Sequence, residues 1–368
     1  MQMILFNSFK KHNELYKKQI LDSIERVFDS QWYVLGKEVE NFEASYSKLT
    51  GVKNTIGVAS GLDALIIALK ALEIGPNNEV IVPSNTYIAT WLAVSSVGAK
   101  IVSVEPNPKT FNICPSLIEK AITKNTKVIM PVHLYGQSCD MDAIMNIAKK
   151  NNLFVVEDNA QSQLGTWNGK YTGSFGDINA TSFYPTKNLG AIGEAGAITT
   201  NSIAHKEFAL TYRNYGSKQK YINNIKGVNS RIDELQAGIL NVKLKYLKEF
   251  TEERKKIAAR YNSNLEDIKE IDLPYVSPEA DHVYHLYVIK TSKREELVKF
   301  LLKNDIQTEI HYPIPPHLQK AYSELGYKKG DFPIVENLSE TCISLPLYPG
   351  LTFEEVDLVC DHIKKFYE

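Results

Sequence analysis

Between residues 12 and 30, Leu15, Ile20, Leu21, Ile24, Val27 and Phe28 recur at helical spacing, so the chain is predicted to open on an amphipathic helix. The pattern then changes. Short β-rich runs occupy 79–83, 100–104, 127–132, 153–157, 180–184 and 197–200, with helical or loop segments between most of them. That alternation predicts an α/β domain around a largely parallel sheet. Ligands of open α/β sheets gather beyond the carboxyl ends of the strands, so polar residues just after these runs are the first to question. From about Asn229 a second helical stripe, with Ile232, Leu235, Ile239, Val242, Leu247 and Phe250 on one face, predicts a connecting helix. Beyond it, strand-like 285–290, helix-like 294–302 and the Pro-rich loop 311–319 suit a smaller α+β domain. The expected division is 1–250 and 251–368.

Composition narrows the function classes. The 42 Lys+Arg nearly cancel 43 Asp+Glu, which leaves no global field to attract nucleic acid or an anionic membrane; an anion has to be bound locally. No run approaches the roughly 18 apolar residues of a membrane span. Cys114, Cys139, Cys342 and Cys360 form no CxxC pair, so neither a disulfide framework nor a zinc or other metal site is expected, and reduced thiols in the cytoplasm are the simplest expectation. Only 6 of the basic residues are Arg, which draws Arg213 and Arg231 forward as fork-shaped binders of anionic groups.

Three segments carry candidate chemistry. In GVASGLDALIIALKAL, 57–72, Ser60 stands three residues before Asp63 and directly ahead of an apolar helix, which matches a capping box. A well-capped helix is one reading; a phosphate seat built from the N–H groups of Gly61 and Leu62 is the other. In LFVVEDNAQSQ, 153–163, an apolar strand runs into Asp158 and then Gln161. Asp158 either caps a turn or faces the protonated ring nitrogen of a cofactor, with Gln161 placed to donate to a neighbouring ring oxygen. In TSFYPTKNLGAIGEAGAITTN, 181–201, Lys187 lies in a short loop after a strand. It is either a solubilising charge or a Schiff-base lysine whose burial lowers its pKa. The glycines that follow read GxxGxxG and precede a strand, which rejects a dinucleotide fingerprint.

A phosphate-binding helix start, an acid for a pyridinium and a lysine for an aldehyde, in this order, specify pyridoxal 5′-phosphate. The chain resembles the DegT/DnrJ/EryC1/StrS family of sugar aminotransferases over nearly its whole length. The resemblance rests on QWYVLGKEVENFE, PSNTYIATWLAV, VHLYGQ, EDNAQ, SFYPTKNLGAIGEAGA and IHYPIPPH. It implies fold type I, a large domain with a mostly parallel mixed sheet flanked by helices plus a smaller C-terminal α+β domain. It also implies that Lys187 forms the Schiff base, Asp158 pairs with the pyridine nitrogen and Gln161 contacts the ring hydroxyl. Tyr87 would stack on the ring, while Gly61, Leu62 and Ser182 would hold the phosphate. Asn229 would reach the phosphate of a neighbouring subunit, which implies a homodimer with shared active sites.

Substrate contacts are expected from Tyr184, Tyr215, His311 and Tyr312, with Arg213 and Arg231 as weaker candidates. Two positions depart from the family pattern: Gln163 replaces a frequent histidine, and Leu62 replaces a hydroxyl residue, leaving only its backbone amide for phosphate. The resemblance runs to the branch that aminates C3 of dTDP-3-keto-6-deoxyhexoses with L-glutamate, by way of pyridoxamine 5′-phosphate, for a lipopolysaccharide or other surface glycan. Amination at C4 of a dTDP- or UDP-4-keto sugar is the alternative. A dehydratase of this family would carry histidine where Lys187 stands, and a non-catalytic cofactor-binding protein would not need the complete Lys187 set.

Overall fold

The structure, a computed structural model, describes residues 3–368, His12 through its backbone alone. Helix α1 spans Lys10–Ser30. Its Tyr16, Ile20 and Val27 are buried, but Leu21 and Phe28 of the predicted apolar stripe are exposed. Helix α2, Lys37–Thr50, follows and ends on Gly51 at φ 73°, the left-handed conformation that a glycine closes without strain.

Four parallel strands form the first half of the main sheet in the order β3-β2-β4-β5: β2 is Glu79–Pro83, β3 Lys100–Val104, β4 Thr126–Ile129 and β5 Phe154–Val155. The other half is antiparallel. Strand β1, Asn54–Val58, pairs with Gly196–Thr200, which pairs in turn with Asn179–Ser182. The halves are joined at Asp158, which bridges Val132 on one side and Ala180 on the other, both in parallel. One mixed sheet results, and the residue at its seam is a predicted site residue. The expected runs 127–132 and 153–157 are shorter as regular strands because from Pro131 onward the ladder narrows to single bridges through Asp158.

Helix α3, Gly61–Ala71, is apolar on nearly every side, and Ala64, Leu65, Ile67, Ala68 and Leu69 are all buried. It packs between the antiparallel half of the sheet and helix α4, Ala89–Ser96. The stripe predicted as one connecting helix is two, Glu234–Leu244 and Leu247–Leu265. Short bonds from Lys245 N–H to Val242 O and from Tyr246 N–H to Lys243 O tighten the last turn and end the first helix. Leu235 of the predicted stripe is exposed.

The second of these helices carries the chain from one core to another. Leu247 packs with Phe42, Phe183 and Leu240, whereas Ile257, Tyr261 and Leu265 pack with Leu297, Leu301 and Ile363 around strands Tyr287–Lys290 and Cys342–Leu345. Ile4 joins that C-terminal core by a bridge to Ile306. Among the described residues no helix is long and apolar enough to cross a membrane.

Candidate active site

The segments that follow β2, β5 and strand Asn179–Ser182, together with the start of α3, border one pocket of about 590 Å3, a size that takes a cofactor with its substrate. At one end lies the first turn of α3. Ser60 caps it, its Oγ accepting from Asp63 N–H at 3.1 Å. The expected reciprocal half of the capping box is missing, because the Asp63 carboxylate accepts from Ser230 Oγ at 2.7 Å instead. A Cβ on Gly61 would lie 2.6 Å from Ser182 Cβ. Only glycine lets the helix start approach the strand end this closely, and the approach puts the unsatisfied first-turn N–H groups of α3 beside the Ser182 hydroxyl.

Asp158 and Glu157 leave the strand in opposite directions, as strand alternation requires. Glu157 is fully buried and accepts from Gly173, Phe175 and Gly176 N–H at 2.7, 2.6 and 2.8 Å, with His133 Nε2 at 2.8 Å. Asp158 borders the pocket, with Thr90 Oγ1 donating to Oδ2 at 2.9 Å and Ala160 N–H to Oδ1 at 3.2 Å. Burial pushes its carboxyl above the usual carboxylate range, against these two hydrogen bonds and the charge of Lys187. Gln161 accepts from Tyr135 N–H at 2.7 Å and donates to Tyr312 Oη at 3.0 Å. Gln163 is buried and donates to Ser182 O at 2.7 Å, away from the pocket lining.

Lys187 sits in the turn after strand Asn179–Ser182, where its N–H donates to Tyr184 O at 2.9 Å. Half-buried, its amine has no hydrogen bond or ion pair with a described residue. Desolvation pushes its pKa down to about 8, with the charge of Asp158 opposing the shift. Lys187 also borders a second cavity of about 30 Å3, shared with Lys243 and Arg254. Lys243 is likewise pushed down to about 8 by burial, but its Nζ is engaged by Gly190 O at 2.7 Å.

Gly61, Leu62, Tyr87, Asp158, Gln161, Ser182, Tyr184, Lys187, His311 and Tyr312 all border the larger pocket. The rings of Tyr87 and Tyr312 lie 5.6 Å apart. The expectation for Arg213 is corrected: it is 5% exposed and turned inward, its Nη1 bonded to Glu43 Oε1 at 2.7 Å and to Gly57 O. Arg231, Tyr215 and Asn229 also lie outside the pocket of this chain. The Arg231 guanidinium donates to Asn214 Oδ1 at 2.8 Å and stacks over the Tyr215 ring at 5.3 Å, while Asn229 bridges Asn214 through the backbone. His285, Glu194, Thr86 and, behind the lining, Thr90 escaped the sequence reading. His285 opens a strand-like run that reads as core, and no local spacing connects Thr90 with Asp158.

The set fits pyridoxal phosphate on its own chemistry. An N–H and hydroxyl cradle with no room for a Cβ suits a phosphate, a buried carboxylate raised by desolvation gains from a cation placed against it, and an amine near pKa 8 has no partner of its own. The comparisons agree with this geometry. Residues 14–364 match the model of the DegT/DnrJ/EryC1/StrS aminotransferase family. The dTDP-3-amino-3,6-dideoxy-alpha-D-galactopyranose transaminase of Aneurinibacillus thermoaerophilus is 50% identical over 366 residues, covering 99% of each chain. The crystal structure of S. venezuelae DesV superposes with a TM-score of 0.98 at 41% identity, over 100% of this chain and 99% of that one. The structure of ntda from Bacillus subtilis with bound cofactor pmp superposes with a TM-score of 0.91 at 34% identity, over 99% of this chain and 85% of that one. The chain, whose site takes pyridoxal phosphate, belongs to the DegT/DnrJ/EryC1/StrS aminotransferase family.

Proposed function

We propose that the protein transfers an amino group from L-glutamate to C3 of a dTDP-linked 3-keto-6-deoxyhexose, yielding a dTDP-3-amino-3,6-dideoxyhexose. The observation that carries the reading is that Lys187, Asp158 and the Gly61–Ser182 cradle border one pocket in a chain half identical, end to end, to a transaminase named for such a product.

In this reading the N–H groups of Gly61 and Leu62 and the Ser182 hydroxyl hold the phosphate. Asp158 pairs with the ring nitrogen, and Tyr87 covers the ring. Bound there, pyridoxal phosphate supplies the electron sink that lets the proton on the amino-bearing carbon leave. Lys187 Nζ takes that proton as general base and returns it as general acid, a role suited to an amine titrating near pH 8. His311, Tyr312 and Tyr184 meet the sugar. Burial and the Lys187 charge push His311 down to about 4, so at neutral pH it offers a neutral imidazole.

The same reading divides the chain into a cofactor-binding unit, 1–250, and a smaller unit, 251–368, with the first described residues lying against the latter. It pairs two copies into a homodimer. Leu21, Phe28, Trp32, Tyr33 and Tyr221 are exposed apolar side chains that a partner would cover, and Asn229 and Arg231 are then available to the partner's site. It puts the reaction in the cytoplasm, in the making of an amino sugar for a surface glycan.

The test is to load the enzyme with cofactor, convert it with L-glutamate while following the visible absorbance, and offer dTDP- and UDP-linked 3-keto and 4-keto sugars in turn. Recovery of the starting spectrum with a dTDP-3-keto-6-deoxyhexose, the galacto substrate first, is expected. Recovery only with a 4-keto sugar would overturn the regiochemistry and leave the amino transfer standing.

A further inference from the structure

Thr90 is 1% exposed, lies in the first turn of α4 and borders no part of the pocket, yet its Oγ1 donates to Asp158 Oδ2 at 2.9 Å. A helical Ser or Thr hydroxyl ordinarily satisfies itself on the carbonyl one turn back. Ser95 and Ser96 of the same helix do so, bonding Trp91 O and Leu92 O. Thr90 instead spends its proton on a carboxylate 68 residues away.

The direction of the chain of bonds follows from the donor inventory. An ionised carboxylate only accepts, and a hydroxyl has one proton. With that proton committed to Asp158, the Thr90 oxygen is left to accept from Thr86 Oγ1, 2.8 Å away. Thr86 is buried as well and lies four residues earlier, ahead of the helix and on the pocket wall. The run Thr86 to Thr90 to Asp158 therefore delivers its polarity toward one carboxylate oxygen. The other oxygen has the longer bond to Ala160 N–H at 3.2 Å. Without Thr90, that single bond would orient a carboxylate whose burial already opposes its charge.

We propose that Thr90, backed by Thr86, is a positioning residue that fixes the plane of the Asp158 carboxylate and keeps it an acceptor for the protonated ring nitrogen of the cofactor. The inference rests on the assignment of Asp158 made above.

The experiment measures, on apoenzyme, the dissociation constants of pyridoxal phosphate and of its 1-deaza analogue, in which carbon replaces the ring nitrogen. The proteins are the native enzyme, Thr90→Val, Thr90→Ser, Thr86→Val and Asp158→Asn. The native enzyme is expected to prefer the natural cofactor. Thr90→Val reduces that preference by about tenfold, the scale of one hydrogen bond to a charged group, and leaves the analogue's affinity unchanged. Thr90→Ser restores it, and Thr86→Val, which also serves should Thr90→Val not fold, shows a smaller loss of the same kind. Equal losses for both ligands in the Thr90 and Thr86 variants, or no loss, would overturn the inference. Asp158→Asn separates the two claims: if it abolishes the preference while Thr90→Val keeps it, only Thr90 is misassigned, and if it keeps the preference the Asp158 assignment falls and the Thr90 inference with it.

Discussion

Glu157 and Asp158 are adjacent carboxylates with opposite surroundings: the first is fully buried among three backbone N–H groups and His133, and the second borders the pocket. Their substitutions should therefore separate stability from chemistry. Glu157→Ala strands its donors in the interior and is expected to cost roughly 3–5 kcal/mol, read as a lower urea midpoint. Asp158→Asn keeps shape and volume. It is expected to hold the midpoint nearly unchanged while kcat falls by about 100-fold or more. A reversed pattern would mean that the two side chains have been given each other's work.

Lys187→Ala is expected to lower kcat by at least about 1,000-fold, within the range lost when a general acid/base is removed. The variant should still bind the phosphorylated cofactor, because the cradle at Gly61 and Ser182 is untouched. Retained turnover with a normal cofactor absorbance would remove Lys187 from its role.

The pH dependence follows from the same amine. Burial holds Lys187 near 8 instead of its ordinary 10.5, and only the neutral amine attacks the cofactor's aldehyde. The rate of cofactor uptake by apoenzyme should rise with pH through a midpoint near 8. The stability sign is the same: between about 8 and 10.5 the unfolded chain holds a proton the folded one has released, so this lysine's cost to folding is relieved as pH rises through that window. Uptake with a midpoint above 10 would contradict the burial argument.

Gly61→Ala puts a methyl 2.6 Å from Ser182 Cβ, on a strand rather than a flexible tip. Overpacking of this kind costs about 1–3 kcal/mol. Because helix start and strand end must part, the cofactor dissociation constant should rise more than tenfold. Unchanged cofactor affinity would contradict the cradle.

Arg213 was expected to meet an anionic group and instead closes the Glu43–Gly57 contact from inside. Arg213→Ala is expected to destabilise by roughly 3–5 kcal/mol, since it leaves a partly buried carboxylate unpaired. KM for either substrate should not change in the folded fraction. A raised KM with full stability would return Arg213 to the substrate.

The residues that sequence reasoning brings together share local signals: an apolar strand running into Asp158, a capped glycine at a helix start, a lysine in a glycine-rich return. Each lies within a few residues of a strand end or helix start, which is where period and turn chemistry speak. Arg213 was misjudged because scarcity of arginine says nothing about the direction of a side chain, and Glu43 is 170 residues distant. Thr90 and His285 went unseen for a related reason, since their meaning comes from contact with Asp158 and with the pocket. The single helix expected through residue 250 failed because the apolar stripe continues across the break while the backbone bonds at 245 and 246 do not. The expected reach of Asn229 toward a neighbouring subunit comes from the family resemblance alone, and within one chain its only signal is exposure.

The central claim is that Lys187 carries the cofactor, and the molecule supplies its own competitor. Lys243 borders the same small cavity and is pushed down to about 8 by the same cause. Reducing the loaded enzyme with borohydride and locating the modified lysine by peptide mass spectrometry distinguishes the two. Modification at Lys187 with Lys243 untouched is the result expected; a label on Lys243, or on neither lysine, would contradict the account.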